Sequence, residues 1–253
     1  MIRIENLTCG YDGSPVVWEV TARFPSRQIT ALVGPNGCGK STLLKTACGI
    51  LGRISGQVYL DDAPLDSLSP NARAKRVSFL PQSRDLGQIT ARNLVSHGRF
   101  PYLSYPRRYS KTDLEYIHKA MEQTGVLSMA DKRLGELSGG ERQRVYLAML
   151  LAQDTDTVFL DEPTTYLDVN HQYEILDIIT GMKSMGKTVV LVLHDLNHAL
   201  RFSDRVGVMD KGTLLALDAP EKIYESRILE KVFGIASARC DADGRTEYLF
   251  YKK

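Results

Sequence analysis

The chain has 253 residues, of which 43% are hydrophobic and 25% are charged. This length and composition suffice for one large globular domain, or for one domain with a subdomain. Because 32 Lys and Arg residues are balanced by 30 Asp and Glu residues, the net charge of +2 gives no electrostatic reason to expect a nucleic-acid partner.

The four cysteines show no CxxC pair or other metal-ligand spacing. They predict no disulfide framework and fit a reducing cytosol. The N-terminal segment has Arg3 and Glu5 where a signal peptide would need an apolar run, and the sequence has no stretch of about 20 apolar residues. We therefore expect that work at a membrane would require a membrane-bound partner.

Short runs rich in β-branched residues alternate with amphipathic segments along the chain. This pattern predicts an α/β fold with a covered, mostly parallel sheet. The predicted strands of that sheet are Ile29–Val33, Val77–Leu80, Thr157–Leu160, Thr188–Leu193 and Arg205–Met209. Three more alternating runs suit an antiparallel sheet beside this core, namely Ile2–Leu7, Val16–Phe24 and Gly56–Leu60.

Between about Thr90 and Leu137 the hydrophobic spacing changes to that of helices. Leu114, Ile117 and Met121 are predicted to share one helical face. We interpret this region, about residues 90–150 in all, as a helical subdomain inserted into a single domain that spans residues 1–253.

The segment from about residue 211 to 253 is interpreted as a C-terminal extension of the core. It contains a strand-like run, Thr213–Leu217, then Ala219 and Pro220 opening a helix. An apolar run, Tyr248–Tyr251, follows a predicted turn at Asp243-Gly244. From about residue 235 onward no motif indicates a role.

A phosphate-binding motif, GxxxxGK[ST], follows the predicted strand Ile29–Val33 and precedes a helix-forming run. Its glycines let backbone N–H groups converge on phosphate oxygens, Lys40 supplies a cation, and the Ser41 hydroxyl can ligate Mg²⁺. A glycine-rich turn that matches by chance is the alternative. The residues expected to contact phosphate are Gly34, Asn36, Gly37, Cys38, Gly39, Lys40, Ser41 and Thr42.

Cys38 lies inside this loop, where a small tolerated residue is the simpler interpretation. The positive surroundings of a helix N-terminus could instead lower the pKa of the thiol and make it reactive.

Asp161 ends the apolar run Val158–Leu160, so its carboxylate should lie at the carboxyl edge of the sheet. That position suits a ligand of Mg²⁺, directly or through water. Glu162 follows it. Asp-Glu pairs are common at strand ends, and this pair alone is weak support for a catalytic site.

Ser138, Gly139 and Gly140 precede another helix-forming run, so their hydroxyl and N–H groups could grip an anion at a positive helix end. Alternatively, Ser138 is an N-cap with Glu141 as its capping-box partner. Both interpretations can hold together.

The run Leu137–Arg144, LSGGERQR, stands between the phosphate motif and the Asp161-Glu162 pair. These three features in this order resemble the ATP-binding cassette family. The resemblance extends from Tyr11 to about Gly234 and implies a P-loop NTPase core, an N-terminal antiparallel β subdomain, an inserted helical subdomain, and ATP and Mg²⁺ as ligands.

The resemblance also implies roles for individual side chains. Glu162 matches the catalytic carboxylate, His194 the residue that contacts the γ-phosphate and organises the attacking water, and Gln82 the Q-loop glutamine. The implied Mg²⁺ ligands are Ser41, Gln82 and Asp161. Tyr11 matches the aromatic residue that stacks on adenine, although packing on the small sheet is the alternative.

The remaining histidines match no catalytic motif and are interpreted as surface or packing residues. They are His97, His118, His171 and His198.

Two segments are implied to contact a second copy of the chain. The run Pro163–Asp168 resembles the family's D-loop and indicates Asp168 as an interface residue. Ser138, Gly139 and Gly140 would grip the phosphate bound by the opposite copy's loop, so that ATP holds a head-to-tail homodimer together.

Among such cassettes, a transporter subunit is the favoured interpretation. The LSGGERQR run excludes kinases and GTPases by family pattern. Repair cassettes have long insertions, whereas Lys40 and Ser138 are only 98 residues apart here, without heptads or CxxC. Translation-type cassettes have two motif sets in one chain. Another transporter class, or an ATPase that acts on nucleic acid, remains the alternative.

The segment Gly98–Tyr102, followed by the aromatic and basic run Tyr105–Tyr109, resembles the segment after the Q-loop in importers of iron–siderophore, haem and cobalamin type. The resemblance implies a peripheral location on the cytoplasmic face of the membrane, with integral permease subunits and, indirectly, a substrate-binding protein as partners. Phe100, Tyr102 and Leu103, with the Q-loop, are expected to meet the permease. A solvated loop is the alternative.

Overall fold

The computed structural model describes residues 1–82, 88–242 and 245–252. The predicted Asp243-Gly244 turn and the part of the Q-loop at 83–87 lie outside the described residues. Within the described ranges, no helix combines the length and hydropathy needed to cross a membrane.

The elements alternate along the chain as predicted for an α/β protein. The strands are β1 Ile2–Tyr11, β2 Ser14–Phe24, β3 Ile29–Val33, β4 Arg53–Leu60, β5 Ala63–Pro64, β6 Val77–Leu80, β7 Thr157–Asp161, β8 Thr188–Val192, β9 Arg205–Asp210, β10 Thr213–Asp218, β11 Ile235–Ala242 and β12 Arg245–Lys252. The α-helices are α1 Lys40–Ala47, α2 Pro70–Ala74, α3 Ala91–His97, α4 Lys111–Gln123, α5 Gly139–Gln153, α6 Val169–Ser184, α7 Leu196–Phe202, α8 Pro220–Glu225 and α9 Ile228–Phe233.

The chain divides into two compact units, Met1–Ser67 with Thr188–Lys253, and Leu68–Lys187. The first unit contains the antiparallel sheet β2-β1-β4-β5 and the strands β10-β9-β3-β8. Strand β3 is parallel to both β8 and β9, whereas β10 is antiparallel to β9. The predicted antiparallel sheet and parallel core strands are therefore confirmed within this unit.

Burial explains why the parallel strands lack an alternating pattern. Every residue of β3 and of β8 is buried, as expected for strands covered on both faces. In contrast, β1 and β2 form a hairpin closed by Asp12 and Gly13, both with positive φ, which is the backbone of a two-residue turn.

The C-terminal segment of the first unit is an ordered addition to α7. Strands β11 and β12 pair in an antiparallel hairpin. Glu247 on β12 accepts hydrogen bonds from Arg201 Nη1 (2.7 Å) and Asn197 Nδ2 (3.0 Å) on α7. The Tyr248 ring is buried and lies 4.9 Å from the Tyr224 ring of α8.

In the second unit, β6 and β7 are parallel, with Leu80 opposite Leu160. Helices α3 and α4 both pack on α5. The buried face of α4 differs from the prediction, since Ile117 and Met121 are buried but Leu114 is 54% exposed.

A buried ion pair explains which face of α4 points toward the interior. Asp113 points inward and accepts a hydrogen bond from Arg99 Nε at 2.9 Å, and both side chains are less than 10% exposed. Because neighbouring positions on a helix face different directions, burial of Asp113 leaves Leu114 toward solvent. Sequence periodicity alone assigns the wrong face, since it ranks Leu above Asp for burial.

Candidate functional site

The phosphate loop in the first unit follows β3 and requires its glycines for close packing. A Cβ on Gly34 would lie 2.3 Å from the carbonyl oxygen of Met209, and a Cβ on Gly39 would lie 2.7 Å from Val17 Cγ2. Gly39 also has a φ of 99°, in the region that favours glycine. These positions accept no side chain without displacement of the neighbouring strands.

Lys40, the first residue of α1, is only 5% exposed. Its Nζ donates hydrogen bonds to the carbonyl oxygens of Gly34 (2.7 Å) and Pro35 (3.0 Å). Among the described residues, no side chain caps the start of α1. The backbone N–H groups of the first turn and the buried ammonium group therefore form one electropositive site, suited to an anion.

The surroundings of Cys38 favour the simpler of its two interpretations, a small tolerated residue. The side chain is 5% exposed, and burial raises the pKa of the thiol despite the opposing charge of Lys40. The alternative of a lowered pKa is wrong because desolvation of the thiolate outweighs the nearby positive charge.

Two further predicted site residues of the first unit lie at strand ends. Tyr11 ends β1 and is 45% exposed, so its ring is accessible. His194 lies between β8 and α7, where it is exposed. The next residue, Asp195, caps α7 by accepting the backbone N–H of His198 at 2.8 Å.

In the second unit, the ends of β6 and β7 bring two predicted catalytic residues together. Gln82 and Glu162 each follow a paired leucine, Leu80 and Leu160, by two residues. Gln82 Nε2 donates to Glu162 Oε2 at 2.5 Å. Asp161, the last residue of β7, is 1% exposed.

Glu162 has a second hydrogen-bond donor that the sequence did not reveal. The hydroxyl of Thr165 donates to Glu162 Oε2 at 3.2 Å. Glu162 itself has a φ of 54°, an uncommon conformation for a residue other than glycine and one that concentrates at functional sites. The threonine three residues after the glutamate was the available signal.

The signature turn, Ser138–Gly140, begins α5 with a capping box. Ser138 Oγ accepts the N–H of Glu141 at 3.3 Å, and Glu141 Oε2 accepts the N–H of Ser138 at 2.7 Å. The Ser138 N–H bond is the main cause that lowers the pKa of Glu141. The capping interpretation is confirmed, and it leaves anion binding by the turn as a prediction.

Asp168 in the D-loop (Pro163–Asp168) caps α6. Its Oδ1 accepts the backbone N–H of His171 at 3.0 Å, and its Oδ2 lies 2.8 Å from His171 Nδ1. The backbone bond first, and then the ring bond, lower the pKa of Asp168. Near it, Tyr166 is 96% exposed and Val169 is 66% exposed.

The segment expected to meet a permease is only partly exposed to solvent. Phe100 is 44% exposed. Tyr102 instead donates its hydroxyl to the Gln153 carbonyl oxygen at 3.0 Å, and the Arg99 guanidinium lies 3.9 Å from the centre of its ring. Tyr102 thus contributes to the fold of the second unit.

A glycine loop with a buried lysine at a helix start, and an acidic pair at the end of a parallel strand, define a nucleotide-binding α/β protein. Residues 17–165 match the family described as ABC transporter. The chain belongs to that family, as an ATP-binding protein that hydrolyses ATP.

Two curated relatives cover most of the chain. The iron(3+)-hydroxamate import ATP-binding protein FhuC of Bacillus subtilis (strain 168) is 42% identical over 96% of this chain and 90% of its own length. The ferric enterobactin transport ATP-binding protein FepC of Escherichia coli (strain K12) is 39% identical over 92% of this chain and 87% of its own length.

A solved structure shows the same fold. It is a dimeric ATP-binding cassette in a post-hydrolysis state, bound to ADP and Pi, with 26% identity and a TM-score of 0.75. The similarity covers 87% of this chain and 99% of that chain.

Proposed function

We propose that this protein is the ATPase subunit of an importer that takes up an iron chelate of siderophore type across the cytoplasmic membrane. Its identity of 39–42% to FepC and FhuC, over nearly the whole chain, is the observation that supports this substrate class. Haem and cobalamin remain the alternative cargoes, followed by the substrates of other transporter classes.

The phosphate loop, in this proposal, binds the triphosphate of ATP. Backbone N–H groups of the loop surround the phosphate oxygens, including those of Asn36, Gly37 and Cys38. Lys40 exchanges its bonds to loop carbonyl oxygens for bonds to phosphate, and Tyr11 stacks on adenine. The buried, electropositive helix start supports this assignment.

Mg²⁺ fits the oxygen donors of the chain. Asp161 contributes a buried carboxylate, Ser41 a hydroxyl, and Gln82 the amide oxygen that its bond to Glu162 does not use. No cluster of three His, Cys, Asp or Glu residues suits a metal among the described residues, and Mg²⁺ usually needs only one or two protein carboxylates beside substrate phosphates. When bound, the ion would neutralise phosphate charge.

Hydrolysis requires a water molecule whose oxygen attacks the γ-phosphorus while the bond to the β-phosphate oxygen breaks. We assign the orientation of this water to the Glu162 carboxylate, which Gln82 and Thr165 hold through its Oε2. His194 contacts the γ-phosphate. Positioning and electrostatics dominate such reactions. The hydrogen bonds that hold Glu162 in place should therefore contribute to the rate of hydrolysis.

We infer that the active form is a head-to-tail homodimer with two ATP molecules between the copies. In it, Ser138, Gly139 and Gly140 grip the γ-phosphate held by the other copy, and Asp168 lies at the interface. The exposure of Tyr166 and Val169 beside Asp168 supports a contact surface here, because exposed apolar groups that cluster often mark interfaces.

The permease subunits would dock on the Q-loop and on exposed Phe100, with Leu103 at the margin, and would hold the protein at the cytoplasmic face of the membrane. A substrate-binding protein would then deliver the chelate from the opposite side. Neither role needs a nucleic-acid partner.

The test is ATPase stimulation in liposomes that contain this chain with its co-purified permease. We expect stimulation by a receptor loaded with a ferric siderophore and none by the empty receptor. Stimulation only by a haem- or cobalamin-loaded receptor would change the assigned cargo, and stimulation by DNA in the absence of permease would overturn the transport function.

A further inference from the structure

We propose that His171 is a positioning residue that fixes the signature turn relative to the D-loop within one subunit. Both segments would then dock on the second copy in a single, fixed arrangement. The inference rests on the proposed homodimer. It assigns a role to a histidine that matches no catalytic motif.

The first observation is the contact between the His171 ring and Gly140. A Cβ on Gly140 would lie 2.0 Å from His171 Cδ2, 2.4 Å from Cγ and 2.7 Å from Nε2. Gly140 lies within α5 and has no positive φ. Its backbone conformation therefore suits any residue, and the ring explains why glycine is needed, despite its cost within a helix.

The second observation is the bond that orients the ring. His171 Nδ1 lies 2.8 Å from Asp168 Oδ2. An ionised carboxylate only accepts hydrogen bonds, so Nδ1 is the donor. Because Asp168 also accepts the backbone N–H of His171, the ring and the start of α6 are fixed relative to one another.

Two further contacts join the starts of α5 and α6. A Cβ on Gly139 would lie 3.6 Å from Leu167 Cδ2, which places the D-loop leucine beside the signature turn. Arg144 on α5 donates to Glu174 on α6 at 2.7 Å. His171 completes this set with a direct link from the D-loop aspartate to the signature glycine.

The consequence concerns dimer formation. If the signature turn and the D-loop both face the second copy, a fixed arrangement between them removes the need to order each one separately on docking. Loss of the ring should weaken docking and turnover, whereas binding of ATP to the phosphate loop of a single copy should stay the same.

The main test uses ATP-dependent dimerisation in a Glu162→Gln background, with His171→Ala compared to His118→Ala, an exposed histidine on α4. We expect His171→Ala to raise the ATP concentration for half-maximal dimerisation at least fivefold, with ATP affinity of the single copy within twofold of the parent. When His171→Ala is made in the protein that keeps the native Glu162, kcat should fall with little change in KM. Equal behaviour of both variants would overturn the proposal.

A conservative substitution separates the bond from general packing. In His171→Asn, the side-chain nitrogen can take the place of Nδ1 and donate to Asp168. We expect it to recover at least half of the dimerisation lost in His171→Ala. Identical defects in Asn and Ala variants would overturn the role of the Asp168 bond.

A stability cycle tests the contact without a dimer. Gly140→Ala should lower the melting temperature of the nucleotide-free protein, and adding His171→Ala should restore part of the loss, because the group that the new Cβ strikes is removed. Purely additive effects would overturn the contact. Failure of the Glu162→Gln protein to dimerise would instead contradict the proposed homodimer and overturn the docking role with it, whereas this cycle would still decide whether the His171 ring contacts Gly140.

Discussion

The side-chain amide of Gln82 donates a hydrogen bond to the carboxylate of Glu162, at 2.5 Å. These residues are 80 positions apart in sequence, yet each stands two residues beyond a leucine of the same strand pair, Leu80 and Leu160. The register of two parallel strands therefore places the glutamine beside the glutamate, where Thr165 also donates to Glu162 Oε2.

Replacement of Glu162 by glutamine should abolish most turnover and leave ATP binding intact. The amide keeps the size of the side chain but loses the charge that orients and polarises water, an effect worth about 10²-fold or more in rate. Single-turnover hydrolysis and equilibrium binding of ATP measure the two quantities. Equal losses of binding and turnover would contradict the role given to Glu162.

Thr165→Ala provides a graded version of the same experiment. Without the hydroxyl, Glu162 retains its charge and its bond to Gln82 but is held less firmly. We expect turnover to fall about tenfold or more, as for loss of one hydrogen bond to a charged group of about 1.5–3 kcal/mol, with ATP affinity unchanged. The exposed Thr112 on α4 is the matched control, and Thr112→Ala should leave turnover unchanged.

Replacement of Lys40 by alanine should reduce ATP affinity. The ammonium group is buried within hydrogen-bond distance of the Gly34 and Pro35 carbonyl oxygens. Bonds from a charged donor contribute about 1.5–3 kcal/mol, so we expect Kd to rise about tenfold to a hundredfold. Isothermal titration with ATP measures it. Lys45→Ala, in the last turn of α1, is the matched control and should bind ATP as the parent does.

Replacement of Asp113 by asparagine should destabilise the second unit by about 3 kcal/mol, because it leaves the Arg99 guanidinium buried without its carboxylate partner. Denaturant unfolding measures the change. Glu115→Gln, exposed on the same helix, should change stability little. A loss of less than about 1 kcal/mol for Asp113→Asn would contradict the stabilising role given to this ion pair.

The pH dependence of the same residue has a definite sign. Burial tends to raise the pKa of Asp113, but bonds from Ser110 and Arg99 outweigh it, and the net pKa lies below its ordinary value. A depressed carboxylate pKa contributes stability that is complete above the unfolded-state value of about 3.9 and is lost as the pH falls toward the folded-state pKa. The Asn variant should lack this acid-dependent component.

Sequence motifs predicted the order and type of the main elements because both depend on local pattern. The all-buried strands β3 and β8 follow from the continuous apolar runs of the sequence. The motifs also gave the candidate residues of the phosphate loop.

The local sequence pattern could not predict contacts between side chains on different elements. The inward Asp113 depends on Arg99, and the raised pKa of Cys38 depends on burial. His171 carries no motif, and its contact with Gly140 arises only when α5 and α6 are packed together. Only the tertiary structure shows these features, because each depends on spatial neighbours that the spacing of residues along the sequence does not identify.

The C-terminal hairpin should stabilise α7, the helix that follows His194. Glu247 accepts bonds from Arg201 and Asn197 of that helix, and the Arg201 and Glu247 side chains are both less than 25% exposed. Glu247→Ala should therefore cost about 1–3 kcal/mol, seen as lower unfolding free energy and faster hydrogen exchange of α7 amides. Glu225→Ala, exposed at the end of α8, should leave both unchanged. If hydrogen exchange of the α7 amides is unaltered in Glu247→Ala, then α7 is stabilised by packing on the rest of the first unit and not by the hairpin.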